Sequence, residues 1–513
     1  MDESAADAPD VERPPLADPT DATSTPELPA VAVVPLALVS GLTVLVLLVL
    51  APHYGYFRDE LYFLAAGRHL AWGYPDQGVL TPALARVADE LAQHSLLALR
   101  TPAALLTGVT VLAAGLTARE VGGGRLAQLL AAVAVATGTL TLLTGHLLAT
   151  STADLTVWVV IGWLTTRLLR TRDTRLWLVL GAVCGLGLTN KDLPLALAGA
   201  TVLAIAIDPG ARRLLASGWL AAGAGAALLA WAPGLVWQAR HGWPQVELAG
   251  QIRDEYGVLG ERIGFLAIQL TIFSVGATLV MIPGIWMLLR DKDFRAYRPL
   301  VWIAAIVLVV FIVTAGQVYY PAGAYVPLIA AGAVALEARG ASWRSIAIVV
   351  ATAALLFPAA LPLLPATTLA DSPWSGLGEQ QRESVGWTDL VDQVAGAYES
   401  IPAAERASSV VFTSNYGEAG AVDELGAARG LPAAYSGHNG YGLWGPPPQS
   451  MTGPVVVVAE GSRPDDVFDG CDEGRKVTGP VPNEERDEAW IYVCEGPRGS
   501  WGAVWAALEH LSS

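Results

Sequence analysis

Two adjacent carboxylates, Asp59 and Glu60, follow the first long apolar run of the chain within eight residues. A carboxylate can take the proton of an attacking hydroxyl or hold a hard cation through its oxygens. Two further acids stand in similar settings: Asp76 in a Pro-Asp-Gln-Gly turn at 75–78, and Asp154 in LLATSTADL, where two apolar runs meet. Lys191, in GLTNKDLPL, sits at the joint of two short apolar runs, where a charge is expensive and therefore a functional candidate. It suits an anionic group such as a phosphate, with Arg240 as a weaker second candidate. Tyr62, in an aromatic-rich segment, and Tyr319 with Tyr320 are candidate substrate-lining rings.

Each of these residues also has a plain structural reading. Asp59, Glu60 and Asp154 would favour a helix N-terminus. Lys191 could pair with Asp192 or snorkel to the surface, and tyrosines gather at membrane interfaces without a ligand. His69, His94 and His146 are scattered, and no His or Cys cluster has zinc spacing.

Composition decides what must position these groups. Of the 513 residues, 53% are hydrophobic and only 15% charged, where about 25% charged is usual for soluble domains. That excludes a disordered chain, a disulfide-rich scaffold and an ordinary soluble enzyme. The expected class is a polytopic α-helical membrane protein. Its net charge of −16 is carried at the two ends, around a slightly basic centre. Neither end has a basic stripe, so nucleic acid is not an expected partner. Lysine occurs only at 191, 292 and 476, an arginine bias that suggests a GC-rich bacterial genome.

Eleven runs are long and apolar enough to be candidate spans: 31–52, 96–118, 124–148, 150–169, 176–190, 193–207, 214–238, 263–289, 300–316, 321–338 and 344–365. The runs 176–190 and 193–207 are short enough to form one re-entrant pair instead. With the N-terminus inside, fifteen Arg and Lys fall on the cytoplasmic side and eight outside, as the positive-inside rule asks. An odd number of spans then places residues 366–513 outside the cytoplasm. Residues 1–30, acidic and without aromatics, are expected to be a disordered cytoplasmic tail, and 31–365 the membrane domain.

The longest connection, 53–95, is an outer loop. Its residues 59–70 are expected to lie as a helix along the outer surface, and Thr81-Pro82 to open a second helix as N-cap and N1. The C-terminal region 366–513 reads as an α/β domain. It has a helix at 387–401, strands at 408–413, 455–459 and 490–493, a helix over 416–429 ending at Gly430, and a last helix at 501–511. Cys471 and Cys494 lie in this domain and form a disulfide if it is extracytoplasmic. Cys184 reads as a small buried residue.

The Asp-Glu pair after the first span, the interfacial helices and the Tyr-x-Asp turn resemble membrane glycosyltransferases of the GT-C fold. The pattern is most similar to glycosyltransferase family 39, with its protein O-mannosyltransferases and lipid A aminoarabinose transferases. GLTNKDLPL at 187–195, VWQARHGWPQVE at 236–247, VYYPAGAYVPLIAAGAVALE at 318–337, and NYGEAGAV and SGHNGYGLWGPPP in the tail carry the same likeness. The resemblance implies transfer of a sugar from a polyprenyl-phosphate donor to a hydroxyl of a protein, lipid or glycan, on the outer face of the cell membrane and with inversion. It implies Asp59 as the base and Glu60 as the neighbour that orients either the acceptor or Asp59 itself. Lys191, and more weakly Arg240, would bind the carrier phosphate. Tyr62, Asp76, Tyr319 and Tyr320 would line the substrate site. A divalent cation, magnesium or manganese, held by Asp59 and Asp154 would neutralise the leaving phosphate. Where such relatives often carry a Lys or Arg before the Tyr-Tyr pair, this chain has Gln317. The alternative class is a multispan transporter or lipid flippase, which would place charges near the midplane and repeat its halves; the charges here sit at span ends. A member that had lost activity is argued against by the joint presence of Asp59, Glu60, Asp154 and Lys191.

Overall fold

The computed structural model describes residues 28–256, 259–461 and 463–512. The expected disordered tail lies almost entirely outside them. Helix α1 (Val33–Leu50) leads into a short loop and α2 (Arg58–Arg68), followed by α3 (Leu80–Leu91) and the long α4 (Leu96–Glu120). Then come α5 (Arg125–Ala136), α6 (Thr139–His146), α7 (Thr150–Thr171), α8 (Leu176–Leu188), α9 (Pro194–Ile207) and α10 (Gly218–Arg240). The helical region closes with α11 (Pro244–Tyr256), α12 (Leu259–Gln269), α13 (Val275–Arg290), α14 (Pro299–Val313), α15 (Val326–Ala338) and α16 (Trp343–Ala354).

Every one of the eleven apolar runs carries helix, but not every run is one straight helix. The run 124–148 bends by 58° between α5 and α6, where Gly138 separates them and leaves Thr139 N and Leu140 N to donate to Phe273 O and Ile272 O. The run 263–289 breaks at Thr271–Ser274, and α13 restarts there with Ser274 Oγ accepting from Ala277 N. The run 344–365 ends as α16 at Ala354, because Pro358, Pro362 and Pro365 cannot continue it. Among the described residues, four helices are long and apolar enough to cross a membrane alone, or five with the bent pair, and five more are apolar but shorter. This is a membrane protein. Helices α8 and α9 are each about 20 Å long, well under a full span of about 30 Å.

Close packing in the bundle relies on small residues, as apolar helices in lipid require. A Cβ on Gly332 of α15 would run into the Val280 carbonyl of α13, and one on Gly284 would meet the Leu328 carbonyl at 2.5 Å. Buried ion pairs tie the other end together: Glu120 of α4 accepts from Arg170 of α7 at 2.7 Å.

The chain then passes through three short helices, α17 (Phe357–Ala360), α18 (Ala366–Ala370) and α19 (Glu379–Arg382), into the α/β domain. Its helices are α20 (Trp387–Ser400), α21 (Tyr416–Leu425), α22 (Asn439–Trp444), α23 (Glu484–Glu488) and α24 (Trp501–Leu508). The strands are β1 (Val410–Thr413), β2 (Ala434–Ser436), β3 (Val455–Glu460), β4 (Phe468–Asp469), β5 (Arg475–Lys476), β6 (Ala489–Cys494) and β7 (Gly496–Pro497). The main sheet has the order β2-β1-β3-β6-β5, with β1 parallel to both neighbours and β6 antiparallel to β3 and β5. The helix expected over 416–429 stops at Leu425; Gly430, at φ +76°, caps the single 3-10 turn Ala427–Arg429 that follows.

Cys471 and Cys494 are disulfide-bonded across 23 residues, and Cys184 is buried and free. Replacing both bonded cysteines by Ser is expected to cost about 3 kcal/mol in the chain-entropy account. Limited proteolysis of the purified protein against temperature reads this as earlier opening of the C-terminal sheet, and unchanged cleavage would refute it.

Candidate active site

Helix α2 is the platform of the site. Its first turn is fixed by Glu60, which is fully buried. Glu60 Oε1 accepts from Arg100 Nε at 2.9 Å and from Leu148 N at 2.9 Å; Oε2 accepts from Arg100 Nη2 at 2.8 Å and from Phe57 N at 2.9 Å. All four bonds come from the protein itself, so Glu60 has no capacity left for an acceptor substrate. Of the two roles open to Glu60, this arrangement fits the orienting one: its four bonds lock the helix start beside Asp59.

Asp59 faces the other way. Its side chain is 32% exposed. Oδ1 accepts from the Tyr416 hydroxyl at 2.9 Å, and Oδ2 has no partner among the described residues. Tyr416 comes from NYGEAGAV in the C-terminal domain, which explains why that segment accompanies the acidic pair. Glycines let α21 lie on α2: a Cβ on Gly420 would sit 2.8 Å from Leu61 Cβ, and one on Gly417 would collide with Arg58 Cγ. SGHNGYGLW has the same purpose, because Gly440 of α22 approaches Tyr62 closely and its N–H donates to the Tyr62 hydroxyl at 3.1 Å.

Tyr62 in turn packs against Tyr416, the rings tilted with centroids 4.7 Å apart, and donates to Asp76 Oδ1 at 2.9 Å. Burial pushes the Asp76 carboxyl up to about 6, with nearby Asp59 adding to the rise, while the Tyr62 hydroxyl and Lys191 oppose it. Burial also holds the Tyr62 and Tyr416 phenols well above the usual range, so both act as neutral donors.

The turn bearing Asp76 is held by the joint between α8 and α9. Gly78 N donates to Asn190 O at 2.8 Å and Leu80 N to Thr189 O at 2.9 Å; a Cβ on Gly78 would clash with the Thr189 carbonyl. Asn190 is fully buried and joins three elements. It accepts from Thr81 Oγ1 at 2.6 Å, and its amide donates to Thr150 O at 2.8 Å and to Asp154 Oδ1 at 3.1 Å. Thr81 therefore does not cap α3, which already begins at Leu80 after Val79; the expected N-cap is corrected by this stronger tertiary partner.

Beside Asn190, Lys191 makes no ion pair among the described residues. Its ammonium lies 5.4 Å from the Tyr320 ring centroid, and Tyr319, Asp154 and Asp76 are close enough to act on it electrostatically. Tyr319 packs edge-on against Tyr320, with centroids 5.0 Å apart. Asp154 is 5% exposed, and its Oδ2 is buried without a hydrogen-bond partner. Asp59, Asp76, Asp154, Lys191, Tyr62, Tyr319 and Tyr320 thus share one neighbourhood, although they come from α2, the loop 73–79, α7 and the joints before α9 and α15.

Arg240 does not join them. It is exposed at the end of α10, and neighbouring His241 stacks on Trp237. The three histidines have other partners: His69 stacks on Trp444, exposed His94 places Nδ1 2.6 Å from Glu424 Oε1, and buried His146 lies against Arg100. Beside the site, Trp72, Trp231, Trp243, Leu188, Leu235 and Val246 help line an apolar cavity of about 180 Å³ between the loop and α10.

Comparison with known proteins gives this arrangement its place. The structure of ArnT from Cupriavidus metallidurans bound to undecaprenyl phosphate superposes with a TM-score of 0.57 over 90% of this chain and 97% of that one, at 15% identity. The apo form of the same protein gives 0.55 over the same shares, at 13% identity. The chain has the GT-C glycosyltransferase fold. Residues 76–237 match the family model described as dolichyl-phosphate-mannose-protein mannosyltransferase. No curated protein matches the sequence. The matched segment contains Asp76, Asp154 and Lys191 and begins after Asp59.

Proposed function

We propose that this GT-C protein is a membrane glycosyltransferase that moves a sugar from a polyprenyl-phosphate carrier to a hydroxyl acceptor, with inversion, on the extracytoplasmic face. The observation that carries the reading is Asp59. It is half-exposed, its Oδ1 is held by Tyr416, its Oδ2 is free to accept a proton, and a lone ammonium, Lys191, belongs to the same neighbourhood. The match to an undecaprenyl-phosphate-bound GT-C structure and to the mannosyltransferase model supports the donor class. The disulfide supports an extracytoplasmic C-terminal domain and, with the odd number of spans read from the sequence, an N-terminus inside.

In this mechanism the acceptor hydroxyl oxygen attacks C1 of the sugar while its proton passes to Asp59 Oδ2. The C1–O bond breaks, its electron pair remains on the phosphate, and polyprenyl monophosphate leaves. A phosphate needs no proton to leave, only neutralisation of its charge, and Lys191 provides a fixed cation for that purpose. Tyr319 and Tyr320 flank the ammonium and shape the path of the headgroup. Asp154, whose Oδ2 is buried and unpartnered, and Asp59 are the residues that would hold a divalent cation through carboxylate oxygens; when bound, magnesium or manganese would supply further neutralisation at the leaving phosphate.

The test is a reconstituted transfer assay with defined polyprenyl-phosphate sugars. Lys191→Ala is expected to weaken the carrier interaction by roughly 10- to 100-fold, the worth of a charge-assisted hydrogen bond, read as KM for the lipid donor. Arg240→Ala is expected to leave it unchanged. Equal effects of the two, or none from Lys191→Ala, would remove Lys191 from the site.

A further inference from the structure

Behind the catalytic loop, the C-terminal domain gathers carboxylates that the transfer reaction does not use. Glu383, just after α19, and Glu484 and Glu485 of α23 each offer an oxygen, and the three oxygens lie within 4.8 Å of one another. Glu485 is 3% exposed, and neither of its oxygens has a hydrogen-bond partner; Glu383 Oε2 is likewise buried and unpartnered. Glu418 of α21, fully buried, presents an unpartnered Oε1 near the group and, with Glu460 at the end of β3, adds to its negative field.

The compensating groups are few. Arg58 Nη1 donates to Glu484 Oε2 at 2.9 Å, and Arg382 acts on Glu383 through space. Glu484 N approaches Glu383 Oε1 at 3.4 Å. Glu418 Oε2 accepts from Ser414 Oγ and Asn415 N, and Glu460 accepts from Asn415 Nδ2. Two guanidiniums therefore face five carboxylates. Leaving a buried carboxylate charged without a partner costs several kcal/mol, and a bound cation would remove that cost.

We propose that Glu383, Glu484 and Glu485 bind one divalent cation of the calcium class, which clamps α23 and the segment before α20 against the start of α2. The donor set is oxygen only and rich in carboxylate, which favours calcium or magnesium over softer metals. The irregular placement of the donors, one just after α19 and two on a short helix, suits the flexible shell of calcium better than the strict octahedron of magnesium. The clamp ends on Arg58, the residue before Asp59, whose guanidinium lies over the Tyr416 ring at 5.4 Å. The ion thus steadies the two residues that hold the base, without touching the reacting atoms.

The experiment uses the full-length detergent-purified protein, stripped with chelator and then titrated with calcium chloride or magnesium chloride alone. Calcium is expected to bind once per chain by calorimetry and to raise the melting temperature by about 3 °C or more at saturation; magnesium should do less. Glu485→Gln should melt no lower than wild type in chelator, because it removes an unpaired charge, and should lose the calcium response. Terbium luminescence provides a second reading that needs no melting curve. Trp387, whose Nε1 donates to Glu383 O at 3.0 Å, is placed to sensitise it, and calcium should compete the signal away in wild type but find none in Glu485→Gln. No calcium binding by wild type, or an undiminished response in Glu485→Gln, would overturn the proposal. These readings do not depend on sugar transfer, so the site can fail while the glycosyltransferase reading stands, and the reverse.

Discussion

Asp59→Asn is expected to lower sugar transfer by about 10³-fold, the middle of the range for losing a general base, with expression and donor binding unchanged. The reasoning separates the charge from the shape. Asn keeps an oxygen that can accept from the Tyr416 hydroxyl, so the hydrogen bond at 2.9 Å and the start of α2 survive the change. What disappears is the capacity to hold the proton of the acceptor hydroxyl. KM for the lipid donor should stay within about twofold, since in this mechanism the donor phosphate is read by Lys191, whereas kcat should collapse. Tyr416→Phe provides the control. It removes the donor to Asp59 but leaves the carboxylate, so it should cost far less, on the order of tenfold. If Asp59→Asn retained turnover near wild type, or if Tyr416→Phe were the more damaging change, Asp59 would not be the base. A divalent cation shared with Asp154 leads to a distinct signature: Asp154→Asn would then change the metal dependence of kcat as well as its size.

Much of this site could be read from the chain before any coordinates. The acidic pair stood out because carboxylates are rare beside an apolar span, and Lys191 because a lone lysine in such a setting is costly. Helical periodicity and Val-rich runs located α20, β1, β3, β6 and α24 to within two or three residues, since those patterns are local. What stayed hidden depends on contacts across long separations. Glu60 and Asp59 are indistinguishable as neighbouring acids, and only Arg100, 40 residues away, sorts one into the core and leaves the other free. Tyr416 lies 357 residues from Asp59; the NYGEAGAV segment attracted notice as a resemblance, with no physical reason attached. Its glycines provide that reason, because only a small-residue face allows α21 to rest on α2. The outward placement of Arg240 was hidden for the converse cause. A basic residue opening a loop has no local feature that tells an inward from an outward side chain, and here it is exposed. The carboxylates of α23 were equally inconspicuous: NEERDE reads as an ordinary charged surface turn until the fold buries Glu485.

Arg100→Ala should produce the largest loss of stability of any single change near the site. Arg100 is 1% exposed on the second turn of α4 and does more than pair with Glu60. Its Nη1 donates to Ala51 O at 2.6 Å and to His53 O at 3.3 Å, and its Nη2 to Gly55 O at 2.5 Å. The carbonyls at the end of α1, the connecting loop and the N-terminal turn of α2 are therefore all gathered on one guanidinium, and Glu60 extends the network to Leu148 N before α7. Removing the guanidinium leaves a fully buried carboxylate uncompensated and several carbonyls unpaired, a loss of about 3–5 kcal/mol. Arg100→Lys should recover only part of it, because an ammonium cannot match the two parallel bonds to Glu60 at 2.9 and 2.8 Å. Removing both charges together, as Glu60→Gln with Arg100→Met, should be milder than Arg100→Ala alone, since no buried charge is then stranded. Melting of the detergent-purified variants, followed by size-exclusion after stepwise heating, gives this order directly. Arg100→Ala matching wild type, or the double variant proving worse than the single one, would mean that the pair does not hold the platform on which Asp59 stands.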